Sequence, residues 1–297
     1  MRISVPAPLL AVLLAALAGT AGPSVIAGQG RGAAPLPRQT ARQAAPVDLT
    51  GTWVSVVTED WRWRMVTAPA GDVASIPVSA EGRKAAAAWS RDADIANGNQ
   101  CRAFGVGGIM RQPGRLRISW QDDQSLKLEF DAGTQTRLLH FDPATVVPAE
   151  RTLQGFSAAR WEGPGVGAGP IGDGRADPRV TGGGLLSRDL PGGGGGGLRG
   201  GPPPRQQSQL TRGGNLRVVT TQVREGYLRK NGVPYSENAV LTEYWDLYKR
   251  PNGEEWLTIT TQVEDSMYLR NARLVAPVFK KEPDGSKWDP TPCSATW

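Results

Sequence analysis

NLRVVTTQVREGYLRKNGVPYSENAVLTEYWDLYKRPNGEEWLTITTQVEDSMYLRNARLVAPVFKK, residues 215–281, is the stretch whose reading decides the fold. Val, Ile, Thr, Tyr and Trp concentrate in the runs 216–224, 239–248 and 256–264, with 274–280 as a fourth, and Gly, Pro, Asn or Asp bounds each run. β-Branched and aromatic side chains pack well on the faces of a pleated sheet, so these runs read as strands. Between the second and third, Pro251-Asn252-Gly253 joins a fixed φ to residues that tolerate positive φ, and the chain can reverse there without strain. Val218-Val219-Thr220-Thr221-Gln222-Val223 is echoed by Thr258-Ile259-Thr260-Thr261-Gln262-Val263. Two copies are too few for a solenoid, and two similar strands of one barrel account for the echo.

Upstream, the pattern continues. Leu116, Ile118 and Trp120 alternate with Arg115, Arg117 and Ser119, and Leu126, Leu128 and Phe130 alternate with Lys127 and Glu129. The segments 115–120, 125–130 and 134–141 therefore form a meander, turning at Asp122-Asp123 and at Asp131-Ala132-Gly133, and a further strand is expected around 156–161. The paired Asp122 and Asp123 could share a proton or bind a cation, but as turn formers they need no function. Trp61-Arg62-Trp63-Arg64-Met65-Val66 also alternates, which predicts a strand with Trp61, Trp63 and Met65 on one face and Arg62 and Arg64 on the other. That face is either an aromatic wall with an Arg to meet a ligand carboxylate or a core stripe with solvated Arg. Ser79 reads as the N-cap of a short helix through Ala85 to Trp89, with Glu81 well placed for the helix dipole.

The remaining segments do not belong to the core. Residues 1–27 have a basic start, an apolar run at 9–17 and small residues after it, the pattern of a cleaved secretory signal too short to remain as a membrane anchor. Residues 28–47 read as a disordered lead, and 163–214, rich in Gly, Pro and Arg, as a disordered insertion between neighbouring strands. The single folded domain is thus 48–162 with 215–297. The formal charge of +6 comes from these arms: four Arg without an acid before residue 48 give +4, and six Arg against three Asp in 163–214 give +3, leaving −1 for the rest. A nucleic-acid partner is not expected from that distribution, nor is a transmembrane segment in the mature chain.

Cys101 and Cys293 are the two cysteines, and in an oxidising compartment they are expected to bridge. His140 is the one histidine, which excludes sites needing two His ligands; no metal and no cofactor are expected. His140 could serve as a general base, though a lone His in a strand is more often packed or hydrogen-bonded. Glu264 and Asp265, with Tyr268 close behind, are the other acid/base candidates, the alternative being a charged turn at a strand exit.

Gly51-Thr52-Trp53 at the head of the first strand resembles the opening motif of the lipocalin superfamily. The resemblance implies a calycin-type barrel in which Trp53 packs across the closed end. Leu241-Thr242-Glu243-Tyr244, Val263-Glu264-Asp265 and the tail from Phe279 to Cys293 resemble a group of uncharacterised exported bacterial proteins, a likeness that implies export but no reaction.

The expected fold is all-β: an antiparallel meander of about 8–10 strands closing into a lipocalin-like barrel, with one short helix. The first functional expectation is a periplasmic or secreted binder of a small apolar or amphipathic molecule held in the barrel, lined by Trp61, Trp63, Trp120, Tyr244 and Trp245. The alternatives are a barrel-based isomerase, hydratase or hydrolase acting through Glu264, Asp265, Tyr268 or His140, and an envelope protein-interaction module.

Overall fold

The computed structural model describes residues 39–162 and 215–295. The expected signal, most of the lead and the Gly-rich insertion lie outside these residues. The first half contains β1 (Gly51–Val56), the helices α1 (Trp61–Met65), α2 (Ala80–Ala87) and α3 (Arg91–Ala96), and then β2 (Arg115–Asp122), β3 (Ser125–Phe130), β4 (Gln135–His140) and β5 (Phe156–Trp161). The second half contains β6 (Leu216–Thr221), β7 (Gly226–Arg229), β8 (Val233–Tyr235), β9 (Val240–Lys249), β10 (Glu255–Glu264), β11 (Arg273–Val275) and β12 (Val278–Lys281).

Nine strands close into a barrel in the order β10-β12-β1-β2-β3-β4-β5-β6-β9, the β9–β10 hairpin sealing the ring with ten paired positions from Glu255↔Lys249 to Glu264↔Val240. β11 lies on the same edge of β10 as β12, one step further along, with Pro277 in the kink between them. The ring is antiparallel except at β4–β5, which pair in parallel with Leu139 opposite Ser157. The meander is interrupted there because residues 141–155 carry the chain back before β5 starts. β5 and β6 pair from Phe156↔Thr221 to Trp161↔Leu216, and Glu162 N donates to Asn215 O just beyond, so residues 163–214 leave and re-enter one hairpin.

The inward-facing alternate residues of the strands fill the barrel. Trp53, Leu116, Ile118, Leu126, Leu128, Leu139, Leu216, Val218, Trp245, Leu257, Ile259 and Phe279 form one buried cluster. Burying each Leu or Ile contributes about 1.5–3 kcal/mol. Both ends are plugged. At one, residues 39–49 cross beneath Trp120, Phe141 and Trp161; the Trp161 indole donates to Ala41 O and Arg42 N to Asp123 O. At the other, where β2 begins and β3 stops, two tight 3-10 turns within 102–112 send Ala103, Phe104, Ile109 and Met110 into the same core. A second cluster, including Val78, Ala86, Leu228, Val233, Tyr235 and Leu269, sits under α2 and the β7–β8 hairpin.

Three stretches differ from the sequence reading, the first being residues 39–47, which pack against the barrel end with Ala41 in its core cluster where a disordered lead was expected. Residues 61–66 are not a strand: Trp61–Met65 is a helical turn, Trp61 and Met65 are exposed, and the buried member is Arg64. Over five residues both periods place Trp61 and Met65 on one face, and alternation alone does not separate helix from strand. There are three α-helices where one was expected. The expected one is α2, whose Ser79 Oγ accepts from Gly82 N at 3.0 Å.

Candidate functional site: a buried cationic pocket

The β7–β8 hairpin turns at Lys230-Asn231-Gly232, and Gly232 takes φ 76°. Asn231 is fully buried, its amide donating to Pro69 O and Asp72 O at 2.9 and 2.8 Å, which fastens the hairpin tip beneath the 69–76 loop. This fixes Arg229 and Lys230 beside the 3-10 turn at 109–111 and the helix α1. Four arginines from distant parts of the chain meet here. Arg64, Arg111, Arg229 and Arg273 are 3, 6, 5 and 2 % exposed.

A buried guanidinium is costly unless its donors are used. Arg111 is well served: Nη1 donates to Glu59 Oε1 at 2.7 Å and Nη2 to Asp60 Oδ2 at 2.8 Å. Asp60 reaches it from a left-handed backbone, φ 47°, at the cap of α1. Arg64 spends Nε on Arg111 O and Nη2 on Ser55 Oγ, each at 2.9 Å. Arg229 spends Nη2 on Ala74 O at 2.6 Å, lies 3.9 Å from the Asp72 carboxylate and stacks 5.0 Å above Trp63, whose indole donates to Asp72 at 3.1 Å. Arg273 donates from Nη1 to Leu228 O at 3.4 Å.

Three guanidinium nitrogens remain buried without a partner: Arg64 Nη1, Arg229 Nε and Arg273 Nη2. Among the described residues, the four guanidinium groups here face three carboxylates, Glu59, Asp60 and Asp72. Burial, and then the neighbouring Arg111, lowers Arg64 to about 10. Burial and then Arg111 and Arg229 lower Arg273 to about 9, and burial lowers Lys230 to about 8. A small cavity of ≈ 20 Å³ opens in this cluster, with Trp63, Arg64, Arg111, Gln112, Arg229 and Lys230 among its walls. Buried donors, excess positive charge and a cavity are the features that binding of an anionic group requires. On the helix that supplies Trp63 and Arg64, Trp61 and Met65 share an outward face, and with Val66 they are 69, 51 and 62 % exposed. An apolar surface therefore stands on the element that forms the pocket wall.

The predicted site residues are dispersed. Trp63 lines the pocket and Trp61 lies on the same helix. Trp120 belongs to the aromatic plug with Phe141 and Trp161 at the opposite end. Trp245 is in the barrel core with its indole N–H unpartnered, and Tyr244, one residue before it, faces outward. Asp265 accepts from Ser236 N, Ser236 Oγ and Met267 N at 2.6, 2.8 and 3.0 Å, fixing the loop after β10. Glu264 is exposed at the strand end, and Tyr268 accepts Ser79 N through its backbone carbonyl. His140 stacks on Phe156 at 5.0 Å, and burial lowers its pKa. Cys101 and Cys293 form the disulfide, with Cα atoms 5.0 Å apart.

A second concavity of ≈ 290 Å³ beside Cys101, Arg102 and Glu225 is a polar surface cleft whose walls contain no buried unpartnered side-chain atom among the described residues. Among the described residues no three His, Cys, Asp or Glu gather as a metal site would require, and no helix is long and apolar enough to cross a membrane. Comparison of the chain with protein-family models, curated proteins and solved structures finds no match. Function therefore has to be read from the site itself.

Sequence reasoning missed this site because its parts, at 64, 111, 229 and 273, are far apart in the chain. One signal was present: Asn231-Gly232 between the apolar runs Tyr227-Leu228 and Val233-Pro234-Tyr235 is a strong hairpin signature, and it places Arg229.

Proposed function

We propose that the protein is an exported binding protein for a small amphipathic molecule with an anionic head, received at the arginine pocket and not in the lumen of the barrel. The observation that carries this reading is the pair of buried, unpartnered donors on cavity-lining residues, Arg64 Nη1 and Arg229 Nε. Leaving such donors unsatisfied costs about 1–3 kcal/mol each, a cost that an anion removes on binding. The apolar tail would lie over Trp61, Met65 and Val66, whose exposure is otherwise unproductive. The lumen is an unsuitable host because the barrel cluster fills it. The disulfide supports an oxidising compartment.

Calorimetric titration with decanoate, decanol and decyltrimethylammonium tests the reading. Decanoate should bind and the other two should not, and Arg64→Leu should weaken decanoate at least about ten-fold, the worth of one charge-assisted hydrogen bond. Equal binding of decanol and decanoate by the unaltered protein would show that the arginines do not receive the head.

A further inference from the structure

We propose that the head group is a 2-hydroxycarboxylate, an inference that rests on the anion-binding reading above. Gln112 is 8 % exposed, and its Nε2 donates to Ala103 O at 3.1 Å. A carbonyl only accepts, so that bond fixes which end of the amide is nitrogen and leaves Oε1 as the other end. Gln112 Oε1 is buried and has no partner. Three of the cavity-lining residues thus hold unpartnered polar atoms, donors on Arg64 and Arg229 and an acceptor on Gln112.

A simple carboxylate answers the donors and leaves the acceptor orphaned. A hydroxyl on the carbon next to the carboxylate supplies the missing donor without changing the charge. A 2-oxo group has no proton to give. A 2-amino group would donate, but as an ammonium it would bring positive charge into a cluster that already has an excess. The cavity of ≈ 20 Å³ admits about one or two water-sized groups. That is enough for a carboxylate oxygen and its neighbouring hydroxyl.

The test compares 2-hydroxydecanoate, decanoate and 2-oxodecanoate by calorimetry on the full chain, and then repeats the hydroxy/deoxy comparison with Gln112→Met. The hydroxy acid should bind at least about ten-fold more tightly than decanoate, because the site's own acceptor is satisfied only by it. The 2-oxo acid should bind no better than decanoate. In Gln112→Met the ratio of the two affinities should fall to about one. Equal affinity of the hydroxy and deoxy acids for the unaltered protein overturns the hydroxyl assignment while leaving the anion pocket standing. Failure of all three acids to bind overturns both. Should Gln112→Met not fold, the ligand series on the unaltered chain decides alone.

Discussion

Arg137 and Glu243 form an ion pair inside the barrel, their side chains 1 and 0 % exposed. Glu243 takes both ends of the guanidinium fork at 3.0 and 2.6 Å, and Ser157 and Thr220 accept from Nε and Nη2 at 2.9 and 2.8 Å. Each polar atom has its partner, so the pair is tolerated in an apolar core, but either half left alone would be an uncompensated buried charge. Arg137→Met should therefore cost about 3–5 kcal/mol in urea denaturation, and the double variant Arg137→Met, Glu243→Met much less than the sum of the singles. The arginine pocket is the opposite case, with donors left over, and its signature is pH dependence. The pKa values of Lys230 and Arg273 are depressed in the folded chain, to about 8 and about 9. Between pH 8 and 10 the unfolded chain therefore holds more protons than the folded one, and stability from these groups rises with pH. Above that range Tyr227, raised to about 12 chiefly by burial, acts in the opposite sense. The thermal midpoint should climb from pH 8 to 10, and Lys230→Met should flatten the climb; a midpoint that falls steadily over this range would contradict the assignment.

At the scale of elements, the β7–β8 hairpin and the C-terminal tail hold the covered end together. Gly232 is in the left-handed region and lies against the Trp89 ring, where a methyl group would overlap. Gly232→Ala should cost about 2–4 kcal/mol through backbone strain and overpacking, and should also weaken decanoate by displacing Arg229. The tail is tied by Cys101–Cys293, and Thr291 adds a short bridge to Ala132. A link across 192 residues stabilises by at most about 5 kcal/mol on the chain-entropy account, so a reducing agent should lower the midpoint of the unaltered protein and not that of Cys101→Ser, Cys293→Ser. The same elements mark the limits of sequence reading. β2, β3, β9 and β10 were legible because one face of each is core and the other is wet, and period two is then forced. In α1 the signal misled, since Arg64 is buried by partners from residues 55 and 111 that no local pattern shows. The strands of the barrel could be read because each residue's place follows from its neighbours in the chain. The pocket could not, because its donors have no local relation to one another.

For the whole molecule, the barrel and its plugs are complete without residues 163–214. β5 and β6 pair up to Trp161↔Leu216, and the Glu162–Asn215 hydrogen bond already draws the hairpin to a close. No described residue of the arginine pocket lies on either strand. A chain in which 163–214 is replaced by Asn-Gly should therefore keep a cooperative thermal transition. Its midpoint should rise, because exchanging a loop of this length for a tight turn lowers the entropic cost of closure by about 3 kcal/mol at most. Its decanoate affinity should match that of the full chain. Loss of the cooperative transition would mean that the segment contributes core; retention of the transition with loss of binding would mean that it contributes to the ligand site. The expected outcome separates the two problems that the sequence presents together: a barrel whose packed interior supplies rigidity, and an arginine pocket assembled from the segments that close one end of it.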